Sequence, residues 1–232
     1  MFYPLPKKIQ VEASQAKWAL DTTQSVLAIV GIDELQILPN WQDSTLCVHM
    51  TQIVKKAKSL DIPIIHLNHE NLMQGMMHLG EQLSTHQQLV IVGFISAQTK
   101  QFIDYLGSVT EQICVVNDAI YLMNQEHHIQ WISVVSQQHM HHMNSYSLMR
   151  LWSLSAPKEL VLSTKGILLA IAERLDLEPL EIDPTIDLRL LGLDSVAMVE
   201  LVALWHANGA QITYEIFEHH CSLNQLLPIL TS

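Results

Sequence analysis

One serine of this chain stands where a hydroxyl can do chemistry. The run Leu190-Leu191-Gly192-Leu193-Asp194-Ser195-Val196-Ala197-Met198-Val199-Glu200-Leu201 sets Ser195 directly after Asp194, a good helix N-cap residue. The apolar residues that follow include helix-spaced positions, Val196, Val199, Leu201 and Val202. Ser195 is therefore predicted in a first helical turn, where backbone N–H groups lack intrahelical partners and the helix dipole is positive. A phosphodiester on its hydroxyl would occupy a natural anion site, favoured by roughly 0.3–1 kcal/mol. Gly192 lets the approaching chain turn tightly. Taken alone, Asp-Ser also reads as a plain helix cap, so the flanking elements decide.

Those flanks predict four short helices. Lys165 to Leu175 carries an apolar stripe at Ile167, Leu168, Ile171 and Leu175, and Pro179 and Pro184 punctuate a long loop after it. The Ser195 helix should run to about Ala207 and stop at Asn208-Gly209. Thr213 is placed to cap a short helix through Phe217, and Ser222 to Leu230 reads as the last. With these flanks, Gly192-Leu193-Asp194-Ser195 resembles the phosphopantetheine attachment site of carrier domains, and residues 163–232 resemble a complete domain of that kind. The resemblance implies 4′-phosphopantetheine on Ser195 and cargo held on its thiol.

The helix after the serine distinguishes kinds of carrier. Acyl carriers of fatty acid synthesis place acidic residues there, whereas here Glu200 alone is charged among the first residues. With Trp205, Ile212, Tyr214 and Phe217, the region is similar to the aryl carriers of siderophore assembly lines. That family implies partner docking through Met198, Val199 and Tyr214, with core packing the competing role for one of the first two. Glu218 departs from the small residue expected on that surface. An acyl carrier for fatty or polyketide chains is the alternative.

Charge and composition agree with a carrier. Residues 160–232 hold three basic and ten acidic side chains, a net of −7 out of −11 for the chain. That balance excludes a nucleic-acid face, which needs basic residues, and suits basic patches on partner enzymes. No apolar run approaches a membrane span, and the first residues lack a signal-peptide pattern. Cys47, Cys114 and Cys221 are scattered, which points to a reducing cytoplasm. Thirteen histidines include His139, His141 and His142 in one short run, but no cysteine or carboxylate accompanies it and no metal site is expected.

Residues 1–152 read as an α/β domain with a parallel sheet. Ser25–Val30, Pro63–Leu67, Leu89–Phe94 and Ile113–Val116 are continuous apolar runs suited to strands buried on both faces. Helical patterns lie between them at 46–60, near 72–83 and at 98–106. Trp18-Ala19-Leu20-Asp21 with the first strand, Asp61-Ile62-Pro63-Ile64, Gln88 to Gly93 and Val116-Asn117-Asp118-Ala119 together resemble isochorismatase-like hydrolases. An isochorismatase-like domain, a linker at 153–162 and an aryl carrier at 163–232 form a known bifunctional pattern of catechol siderophore synthesis.

Departures from that family bear on catalysis. Aligned from Trp18, the family's catalytic Asp falls on Gly31, and the Gln two residues on falls on Asp33. Glycine offers no ionisable group for proton transfer, and Asp33 could serve only through a slipped register. No Lys or Arg lies between Lys58 and Lys100 to supply the family's lysine, and Thr99 stands near the nucleophile position. Asp118 is expected as a loop cap. The resemblance therefore implies a non-catalytic first domain, with an active bifunctional isochorismatase as the alternative. Implied partners are a phosphopantetheinyl transferase, an adenylating ligase for an aryl acid such as 2,3-dihydroxybenzoate or salicylate, and a nonribosomal peptide synthetase condensation or cyclisation domain.

Overall fold

Strands form where the chain runs apolar and β-branched. The computed structural model describes residue 3, residues 16–68, 75, 79, 83, 88–107, 112–138 and 140–231. Within them, β1 (Ser25–Val30), β2 (Ile64–Leu67), β3 (Gln88–Phe94), β4 (Gln112–Tyr121) and β5 (His141–Met143) make one five-stranded sheet in the order β2-β1-β3-β4-β5. Every pairing is parallel. The chain divides into two compact units, Met1–Trp152 and Ser153–Ser232, and the sheet lies in the first.

Alternation along the strands splits the core between two faces. Val26, Ala28, Leu89, Ile91, Ile113 and Val115 face one layer, with Phe102 and Ile103 of α3 (Ala97–Leu106) and Trp131, Ile132 and Val135 of α4 (Gln125–Gln137). Leu27, Ile29, Val90, Val92, Cys114 and Val116 face the other, with Leu46, Met50 and Ile53 of α2 (Thr45–Ser59) and Leu148 and Trp152 of α5 (Ser145–Ser155). A short α1 (Ile32–Gln36) leaves the end of β1. Because β2 and β3 flank β1, the topology reverses between β1 and β3. Open α/β sheets form their crevices beyond the strand ends at such points.

Several expectations need correction. The fourth strand does not stop at Val116. It continues to Tyr121 across an irregularity opposite β3, so Asp118 lies within the strand. α4 and α5 had no counterpart in the reading of the sequence, and β5 forms in the histidine run. Of the helix expected near 72–83, Gly75, Leu79 and Leu83 are helical and the rest lies outside the described residues.

The second unit is helical: α6 (Lys158–Val161), α7 (Thr164–Leu175), α8 (Ser195–Ala207), α9 (Tyr214–His219) and α10 (Leu223–Leu230). Short 3₁₀ turns at Pro179–Glu181 and Leu188–Leu191 shape the long loop. Side-chain caps start the helices, Ser163 on the Gly166 N–H and Thr213 on the Ile216 N–H, while Ser222 and Gln225 form a capping box. Ile167 and Ile171, Met198, Leu201 and Trp205, Phe217, and Leu223 and Leu226 are buried, and the Trp205 and Phe217 rings lie 5.5 Å apart. Residues 153–162 hold the end of α5 and all of α6.

Candidate functional site

The start of α8 is built as its sequence requires. Asp194 is extended and accepts the Ala197 N–H at 2.8 Å. Ser195 is the first helical residue and is exposed. Leu193 is buried and anchors the turn, while Gly192 before it has φ +107° and open space where a Cβ would stand. The serine hydroxyl thus sits on an exposed first turn, fastened from below by an apolar neighbour and beside N–H groups that lack intrahelical carbonyls.

A polar clamp, which the reading of the sequence missed, holds the loop leading to this turn. Asp187 caps the Leu188–Leu191 turn through the Arg189 N–H at 2.9 Å and pairs with the Arg189 guanidinium at 2.6 Å. Leu188 N–H donates to the Cys221 carbonyl at 2.8 Å, which ties the loop to the segment before α10. The Arg189 side chain holds the Asp187 carboxyl well below the usual carboxylate range, and burial pushes the Cys221 thiol up. The available signal was Asp187 standing before a turn, a cap position like that of Asp194.

The apolar residues of α8 separate into two stripes. Met198, Leu201 and Trp205 point into the core, and Met198 is 2% exposed. Its expected docking role is therefore corrected: a buried side chain offers no contact surface. Val199 at 54% and Val196 at 65% are exposed, and Leu190, on the turn before Gly192, is exposed at 82%. Tyr214, the first residue of α9, is half-buried.

Residues 165–227 match the family described as the phosphopantetheine attachment site. The C-terminal helical unit is a phosphopantetheine-binding domain. Its cofactor is 4′-phosphopantetheine, held covalently on a serine, and the match supports a carrier role. Carrier domains work with a phosphopantetheinyl transferase and with synthetase partners. The parallel α/β unit before it is compatible with an isochorismatase-like fold, and among the described residues no helix is long and apolar enough to cross a membrane.

Gly31 caps α1 in the left-handed region, with φ +56°, and a Cβ on it would lie 3.0 Å from the Phe94 Cβ and 3.2 Å from the Phe94 carbonyl oxygen. An aspartate is disfavoured there twice, by conformation and by space. Thr99 lies in the first turn of α3, its N–H bonded to the Ser96 hydroxyl at 3.1 Å and its hydroxyl 2.9 Å from that of Ser96. Asp118 accepts the Ser145 N–H at 2.7 Å and the Ser145 hydroxyl at 2.8 Å, capping α5, while His49 Nδ1 donates to its carbonyl at 2.8 Å. Serine, aspartate and histidine meet here with the aspartate in the middle. A nucleophile needs the imidazole in the middle, within reach of the hydroxyl. In β5, His141 Nε2 donates to the Trp18 carbonyl and His142 accepts from Asn117; His139 lies outside the described residues.

Proposed function

We propose that Ser195 is the attachment serine and that the chain is an aryl carrier protein. One comparison carries the assignment. The matched segment contains two serines, Ser195 and Ser222. The Ser222 hydroxyl is nearly buried and donates to Gln225 Oε1 at 3.0 Å, whereas Ser195 is exposed at a helix start. A transferase must reach the hydroxyl it modifies, and a phosphodiester is better tolerated where N–H groups are unpaired. Ser195 Oγ forms the new bond to phosphorus, the pyrophosphate linkage of coenzyme A breaks, and adenosine 3′,5′-bisphosphate leaves. Gly192, Leu193 and Asp194 fix the turn. The arm supplies a thiol that holds an acyl group as a thioester.

The aryl assignment rests on the surface next to that hydroxyl. Val196 and Val199 make it apolar where an acidic helix would mark a fatty acyl carrier. Val199 and half-buried Tyr214 are the docking residues in this reading, with Val196 taking the place given to Met198. The partners are a phosphopantetheinyl transferase, an adenylating ligase for 2,3-dihydroxybenzoate or salicylate, and a siderophore synthetase condensation or cyclisation domain. The first domain, 1–152, is a non-catalytic isochorismatase-like scaffold, joined through 153–162 to the carrier at 163–232. Loading of the phosphopantetheinylated protein tests the cargo: an aryl-acid ligase with ATP should add 2,3-dihydroxybenzoate or salicylate by mass. Loading by a fatty acyl ligase with no aryl loading would overturn the assignment. Isochorismate should not be turned over, and turnover matching an active isochorismatase would contradict the scaffold role.

A further inference from the structure

We propose that the end of β4 is a binding site for a neutral phenolic ring, filled in the resting chain by its own Tyr3. Three recognition elements converge on the Tyr3 side chain. Tyr121, the last residue of β4, is a stacking platform, with ring centroids 4.8 Å apart and planes 16° from parallel. The Leu122 N–H donates to the phenolic oxygen at 3.0 Å, and His128 Nδ1 lies 2.8 Å from the same oxygen. The His128 ring also meets Tyr3 edge-on at 5.8 Å, and Phe94 continues the aromatic wall 6.2 Å from Tyr121. One donor, one acceptor and one flat platform are the complement of a phenol.

Groups other than Tyr3 also hold this site. The Tyr121 carbonyl is fixed by the Ile95 N–H at 2.8 Å. His128 stands on α4, whose start is capped by Asn124, and it is fully buried. Burial lowers that imidazole to about 4, against the Asn117 carbonyl and the Asp118 charge, which raise it. It is neutral at pH 7, and in the tautomer protonated at Nε2 the phenol O–H donates to Nδ1. Burial likewise raises the Tyr3 phenol to about 12, so the site takes the neutral phenol and disfavours a phenolate. The site lies at the C-terminal end of β4, beside β3. Tyr3 reaches it from more than a hundred residues away in sequence, as an intramolecular competitor that a free phenol must displace.

Binding of p-cresol to the full-length protein tests this, with toluene as the ring lacking a hydroxyl. Titrations read by ring-current shifts in NMR and by melting temperature should show weak p-cresol binding to the wild type. Binding to Tyr3→Ala should be at least tenfold tighter, and toluene should bind that variant at least tenfold more weakly than p-cresol. Adding His128→Ala to Tyr3→Ala should remove the preference for p-cresol. Tyr3→Phe, which keeps the ring in place, should bind p-cresol no better than the wild type within a fewfold. Failure of p-cresol to raise the melting temperature of Tyr3→Ala, or of Tyr3→Leu should the alanine variant not fold, overturns the proposal, as does equal binding of toluene.

Discussion

At the scale of single residues, the proposed roles of both units turn on two positions, and backbone geometry sets the surroundings of each. Ser195 owes its exposure to a capped helix start held by buried Leu193. Gly31 owes its lack of a side chain to a left-handed backbone pressed against Phe94. Gly31→Asp should destabilise the first unit by at least about 1 kcal/mol in denaturant unfolding, from the strain of a left-handed non-glycine residue together with the contact. It should yield no isochorismate turnover; a stable, active variant would contradict the scaffold role. Ser195, Asp194 and Gly192 were legible because capping chemistry is local. Met198 was not. α8 is apolar on nearly all sides, so Met198, Leu201 and Trp205 and the neighbouring Val196 and Val199 form two stripes of equal apolarity. Periodicity assigns a face through contrast with polar residues, and here the contrast is missing.

At the scale of elements, the central strands were legible because strands buried on both faces read as unbroken apolar runs. The edge strand β5 is three half-buried residues, two of them histidines, and carries no such signal. Asp118 was misplaced because β4 carries polar Asn117 and Asp118 in its middle, where a polar pair resembles a turn. The short helix α6 went unread for a related reason: four residues hold too little periodicity. Its packing is nevertheless tight, since a Cβ on Gly166 would lie 2.1 Å from the Leu160 carbonyl oxygen. Alanine for glycine within a helix is ordinarily stabilising by roughly 0.5–1 kcal/mol. Gly166→Ala should reverse that sign and lower the stability of the second unit by more than about 1 kcal/mol, measured by its denaturant midpoint. A raised midpoint would mean that α6 is not packed against α7 in solution.

At the scale of the whole molecule, pH and modification read the two units separately. His128 is neutral when folded, with its value lowered to about 4 by burial, against about 6.5 in an unfolded chain. Between those values the unfolded state binds the extra proton, so stability rises with pH through that window and is lost as pH falls from about 6.5 to 4. The loss should be on the order of 2–3 kcal/mol, and His128→Gln should flatten the slope of stability against pH over that interval. An unchanged slope would place the imidazole in water. The central claim, carriage on Ser195, is tested most directly by intact mass after incubation with coenzyme A and a phosphopantetheinyl transferase. The wild type should gain one phosphopantetheine arm and Ser195→Ala should gain none. Full modification of Ser195→Ala, or an unmodified wild type in a reaction that modifies a control carrier, would contradict the account.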